Sequence, residues 1–139
     1  MFVNRLLNRG PTPLIEQMVK FTEKRARLLG QDITNLSTPN YVNQDLSLDR
    51  FQQLLAQQAE ERDRPVQNGE QANNEQPMAD ISTKIESPSN NILFHDRNNR
   101  SVEQLMSDQA QNAMLHNMMI ELLRRQFSQL QEALREKVS

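Results

Sequence analysis

The chain has 139 residues, no cysteine and a net charge of −2, and 36% of its residues are hydrophobic. That excludes disulfides, thiolate metal centres and a global basic field for nucleic acid. With five Phe, one Tyr and no Trp, a single small domain with a thin core is predicted: burial at about 25 cal/mol per Å² barely offsets about 1.5 kcal/mol per ordered residue.

The isolated monomer is therefore expected to be marginal or partly disordered. Residues 1–36 carry six Lys/Arg against three Asp/Glu, and residues 56–92 carry three against seven. Opposite signs on different segments suit docking between copies or partners. No apolar run approaches the about 18 residues of a membrane span. Met1 to Gly10 lacks the apolar core of a secretory signal, so any export is expected to use another route.

Met1 to Gly10 places Phe2, Val3, Leu6 and Leu7 on one side of a short helix or a frayed terminus. Pro11 and Pro13 set up the next helix, with Thr12 as its cap. From 14 to 36, Ile15, Met18, Ala26, Leu29, Ile33 and Leu36 recur with a spacing near 3.5, Thr22 taking one position. This predicts a long helix with a coiled-coil-like seam. Gly30 weakens it by about 1 kcal/mol relative to Ala, which a close helix–helix approach would explain.

Pro39 pushes Thr38 out of helical geometry and Asn40 tolerates a left-handed turn, so the chain turns after Leu36 and Tyr41 folds back as an anchor. The stretch 37–64 holds this turn and a short helix from about Ser47 to Arg62, capped by Ser47 and marked by Leu46, Leu48, Phe51, Leu54 and Leu55. Residues 65–91 are rich in Gln, Asn, Glu, Ser and Pro and are predicted to form a mobile linker, with Ile81 and Ile85 in a short extended piece.

From 101 to 138 there is no Gly and no Pro. Ala113, Ile120, Leu123, Phe127, Leu130 and Leu134 follow intervals of three and four, with His116 or Asn117 in the missing position. Ser101 and Gln104 form a capping box, and Arg135 and Lys137 suit the negative end of the dipole. From Val102 to Lys137 this helix spans about 54 Å at ~1.5 Å per residue, too long for a small globule to wrap. Its stripe, broadened by Met114, Met118 and Met119, needs a partner in this chain or another. The fold class is all-α: two long terminal amphipathic helices packed as a coiled-coil-like pair, with a short middle helix and a mobile polar linker.

No active site emerges. Three glycines cannot make a phosphate loop. His95 beside Asp96 lacks a third group, and His116 with Glu121 does not match metal-ligand spacing on a helix face. Glu60, Glu61 and Asp63 form a solvated charge run, and Arg124-Arg125 is too little for nucleic acid. No cofactor, metal site or enzymatic activity is predicted.

The stretch from Arg27 to Tyr41 (RLLGQDITNLSTPNY) resembles the N-terminal signature of bacterial flagellar axial proteins, a helix with an N-I-A-N-A-x-T-P-G-Y type ending. Asn98-Asn99, then Ala110-Gln111-Asn112-Ala113, then Leu122-Leu123-Arg124-Arg125-Gln126-Phe127, resemble the FlgB family of proximal rod proteins. The resemblance covers roughly 14–55 and 94–134. Asn40 stands where the family has Gly, Asp32 near a usual Asn, and Arg97 and Arg100 replace a Gly and an apolar residue.

The resemblance implies a structural subunit of the flagellar basal-body rod in the periplasmic space, exported without a cleaved signal peptide by the flagellar type III export apparatus. Its implied partners are copies of itself, other rod proteins and an adaptor that joins the rod to the membrane ring. No nucleic acid and no direct lipid binding are implied. The assembly residues expected on the first helix and turn are Ile15, Leu29, Ile33, Asn35, Leu36, Thr38, Pro39 and Tyr41. Those on the last helix are Ala113, Ile120, Leu123, Phe127, Leu130 and Leu134. The alternative is a cytoplasmic helical adaptor or export chaperone, which shares the amphipathic helices and would be a stable soluble dimer. An enzyme subunit is disfavoured by the absent constellation, and a membrane-surface helix by the weakly basic polar face.

Overall fold

The computed structural model describes residues 10–41, 43–63, 86–88 and 102–136. They comprise helices α1 (Thr12–Thr34), α2 (Leu48–Asp63) and α3 (Val102–Glu136), and strands β1 (Gln44–Leu46) and β2 (Glu86–Pro88). The all-α reading holds: the two long helices pack on each other, and the short middle helix packs on α1.

The first helix starts without a side-chain cap. Pro11 occupies the cap position and Pro13 the first turn, where a missing amide costs nothing. Thr12, expected as the cap, is instead the first helical residue, and Ile15 N donates to the Pro11 carbonyl at 3.0 Å. At the other end, Asn35 donates to the Gln31 carbonyl twice, from its main-chain N at 3.0 Å and from Nδ2 at 2.9 Å. That side chain competes with the helix ladder, so α1 stops at Thr34, two residues before the expected Leu36.

The turn that follows has the expected geometry. Asn40 adopts φ +62°, the left-handed region that Asn tolerates. Thr38 N donates to Asn35 O at 2.9 Å and Tyr41 N to Thr38 O at 3.3 Å. Tyr41 does fold back: its hydroxyl donates to Asp32 Oδ1 at 3.0 Å. Asp32 is 1% exposed, and its Oδ1 also accepts from Gln44 N at 3.4 Å. The chain thus returns along α1 as β1, where Arg25 grips Asp45 with two bonds, Nε to Oδ1 at 2.9 Å and Nη2 to Oδ2 at 3.1 Å.

Two features of this region differ from the sequence reading. Gln44–Leu46 is a strand, pairing antiparallel with Glu86–Pro88 in the register Gln44 with Pro88 and Leu46 with Glu86. A buried Leu46 brings main-chain polar groups out of water, and pairing satisfies them. Within 65–91, expected to be a mobile linker with Ile81 and Ile85 in a short extended piece, these three residues have a defined place as β2; Ile81, Ile85 and the rest of that stretch lie outside the described residues. Gly30 marks no close approach either, since a Cβ built there meets nothing within 4 Å.

The middle helix is capped as expected, Ser47 Oγ accepting from Arg50 N at 3.3 Å. It packs through Phe51, whose ring stacks on Phe21 with centroids 4.2 Å apart and planes 20° from parallel. Phe21, Phe51 and Leu46 form a fully buried cluster, flanked by Met18, Leu28 and Leu54. At its far end, Arg62 Nη1 donates to the Gly10 carbonyl at 2.8 Å, tying α2 to the start of α1. Arg62 also grips Asp63 through Nε at 2.8 Å, which holds that exposed carboxyl below its usual range.

Candidate assembly interface

Each long helix carries two adjacent faces. On α1, Met18, Phe21, Arg25, Leu28 and Asp32 follow three–four spacing and serve the aromatic cluster, β1 and the Tyr41 turn. One residue on, Thr22, Ala26, Leu29 and Ile33 form the seam expected from the sequence, and Thr22 meets α3 on it. The polar character of this helix-to-helix contact is pronounced. Asn112 Nδ2 donates to the Thr22 carbonyl at 2.8 Å, with Asn112 only 2% exposed. Thr22 Oγ1 lies 2.9 Å from His116 Nδ1, and also 2.9 Å from Val19 O and 3.0 Å from Met18 O. The Thr22 hydroxyl thus lies within hydrogen-bond reach of two carbonyls of its own helix and of the His116 ring on α3.

On α3 the buried residues are Leu105, Asp108, Asn112 and Met119, and half-buried Leu115, Leu122 and Gln126 continue the same face. Their spacing alternates three and four, as in a coiled-coil seam. Asp108 accepts from Gln104 Nε2 at 3.1 Å. The apolar stripe read from the sequence lies one residue later, rotated by about 100°. The reason for the offset is that polar Asn112 and Asp108 occupy inner positions that an apolar pattern passes over.

The expected assembly residues are accordingly scattered in exposure. Leu29 alone among them is buried. Ile15, Ile33, Asn35, Leu36, Tyr41, Ile120, Leu123 and Leu130 are half-buried, and Thr38, Pro39 and Ala113 are exposed. Phe127 and Leu134 are 47% and 46% exposed. Asn35, Thr38 and Tyr41 come together in the turn, Thr38 Oγ1 donating to Asn35 Oδ1 at 3.3 Å. Burial raises the Tyr41 pKa above its usual value, and the hydrogen bond to Asp32 and that residue's negative charge add to the effect.

The later stripe continues beyond the expected residues. Counting back by sevens from Phe127 gives Ile120, Ala113 and Met106; counting back from Leu130 gives Leu123, His116, Gln109 and Val102. Val102 and Met106 are 44% and 59% exposed. The whole length of α3 therefore presents a second three–four seam beside the one that α1 covers. A cavity of about 210 Å³ opens on its first half, between Glu23 and Ala26 of α1 and Gln109, Ala113 and His116 of α3.

Sequence reasoning missed Phe21 and Asp32 as organising residues, although each falls on the three–four series through Met18, Arg25 and Leu28. Among the described residues no helix is long and apolar enough to cross a membrane, and no three His, Asp or Glu side chains cluster as metal ligands. Compared with protein-family models, curated proteins and solved structures, the chain matches none.

Proposed function

We propose that this chain is a structural subunit of the bacterial flagellar proximal rod, assembling through its long helices with copies of itself and other rod proteins to transmit torque. The observation that carries the reading is the turn that closes α1. The stretch that resembles the axial-protein signature ends in Asn35, Thr38 and a left-handed Asn40, on a helix paired with a second long helix about ninety residues further along the chain. A pair of long helices whose second seam exposes Val102, Met106, Phe127 and Leu134 suits a subunit that buries this face on assembly. In this reading the subunit travels through the type III export apparatus and meets the adaptor that joins rod to membrane ring.

Mass spectrometry of purified basal bodies against the cytoplasmic fraction tests the reading. Recovery of the chain in the detergent-resistant rod supports it. Absence from the rod, with the chain found as a soluble cytoplasmic oligomer, overturns it in favour of a helical adaptor.

A further inference from the structure

The second seam of α3 is uneven along its length. Val102 and Met106 begin it with large, exposed apolar side chains, and Gln109, Ala113 and His116 follow as a small or polar stretch beside the cavity of about 210 Å³. The next stretch is bulky and apolar, with Ile120, Leu123, Phe127 and Leu130. A recess followed along the helix by a bulky stretch of the same length complements itself when two copies run in opposite directions.

We infer that the second seam of α3 binds the same seam of a second copy as an antiparallel, two-fold pair. Centring the pair on Met118 sets Ala113 opposite the second copy's Leu123, Gln109 opposite its Phe127, His116 opposite its Ile120 and Met106 opposite its Leu130. Every one of these layers joins positions of the seam; in three of them a large side chain meets the recess at Gln109, Ala113 and His116, and in the fourth Met106 meets Leu130 as an apolar pair. A parallel pair instead stacks Phe127 on Phe127 and Ala113 on Ala113, overfilling one end and leaving the cavity open at the other. The flanking residues agree with the antiparallel choice: on this register Ala110 lies level with Gln126, Asn117 with Met119 and Glu103 with Ala133, so no like charges are opposed.

This pair goes beyond the rod reading. A two-fold contact closes on itself, whereas a rod needs open head-to-tail contacts, so the pair describes the purified chain before any assembly and is tested without basal bodies.

Sedimentation equilibrium of the full chain at about 100 µM, where even micromolar affinity leaves mostly dimer, is expected to give twice the 16.2 kDa chain mass. Because the chain has no cysteine, single introduced thiols report direction. Asn117→Cys, next to the two-fold axis, is expected to link to its own copy through a short bismaleimide. Leu134→Cys, separated from its copy by roughly 48 Å at 1.5 Å per residue, is not. Phe127→Asp is expected to return the chain to monomer with an unchanged helical circular dichroism spectrum. A monomeric wild-type chain overturns the inference. So does self-linking by Leu134→Cys in place of Asn117→Cys, or a Phe127→Asp chain that stays dimeric.

Discussion

Asn112 donates its side-chain amide to the main-chain carbonyl of Thr22 at 2.8 Å, ninety residues away, at a site 2% exposed. A buried amide bonded to one main-chain carbonyl fixes register, because any slip leaves the polar group unpaired. Replacing Asn112 by Ala is expected to cost about 1–2 kcal/mol in urea unfolding. Asn112→Asp is expected to cost more at neutral pH, since it buries a charge beside a carbonyl oxygen.

The stacked Phe21 and Phe51 rings, 4.2 Å apart, hold the middle helix on α1. Phe51→Ala is expected to cost about 3–5 kcal/mol, the usual range for emptying a buried aromatic site. In a chain with so small a cluster this detaches α2, which hydrogen exchange of its amides will register as lost protection.

Gly30 lies in the interior of α1 with open space where a Cβ would sit. Gly30→Ala is expected to stabilise the fold by about 1 kcal/mol, raising the thermal midpoint. Gly10 is the contrasting control. Its φ of +96° is one that L side chains rarely adopt, so Gly10→Ala is expected to lower the midpoint.

The Tyr41 hydroxyl, whose pKa is raised by burial and by Asp32, links stability to alkaline pH. A raised folded-state pKa means that the folded chain keeps its proton when the unfolded chain has lost it. The stabilisation is complete below the ordinary tyrosine value of about 10 and is lost as pH rises toward the folded value. Tyr41→Phe is expected to cost about 0.5–1.5 kcal/mol at pH 7 and to remove this residue's part of the alkaline decline, as denaturant titrations between neutral and alkaline pH will show.

Leu123 and Phe127 separate folding from assembly. Leu123 is half-buried, so Leu123→Asp is expected to lose both stability and rod incorporation. Phe127 is 47% exposed, so Phe127→Asp is expected to keep the fold and lose incorporation. Complementation of motility, with circular dichroism of the purified variants, distinguishes the two.

Much of the fold was legible in the residue pattern. Pro11 and Pro13 start the first long helix, Ser47 starts the middle one, and Pro39-Asn40 announces the turn, because prolines, short polar caps and left-handed residues act within a few positions of themselves. Long apolar periodicity marked both terminal helices. The face that each buries was not legible to the same degree. Asn112, Asp108 and Thr22 sit in the inner contact although their side chains are polar, and an apolar count places the seam one residue too late. β1 was missed because three residues of Gln, Asp and Leu carry no strand signal; they pair because Leu46 is buried beside Phe51.

The sequence by itself determined the helices, their ends to within about two residues, and the presence of amphipathic surfaces, since turn chemistry and periodicity are local properties of the chain. Only the tertiary structure decided that Phe21 and Phe51 make the core, that Asn112 locks α3 onto Thr22, and that the stripe through Ala113, Ile120 and Phe127 stays half-buried or exposed. The physical reason is that a half-turn of polar residues is buried when each finds a hydrogen-bond partner in space, and that partner can lie ninety residues away.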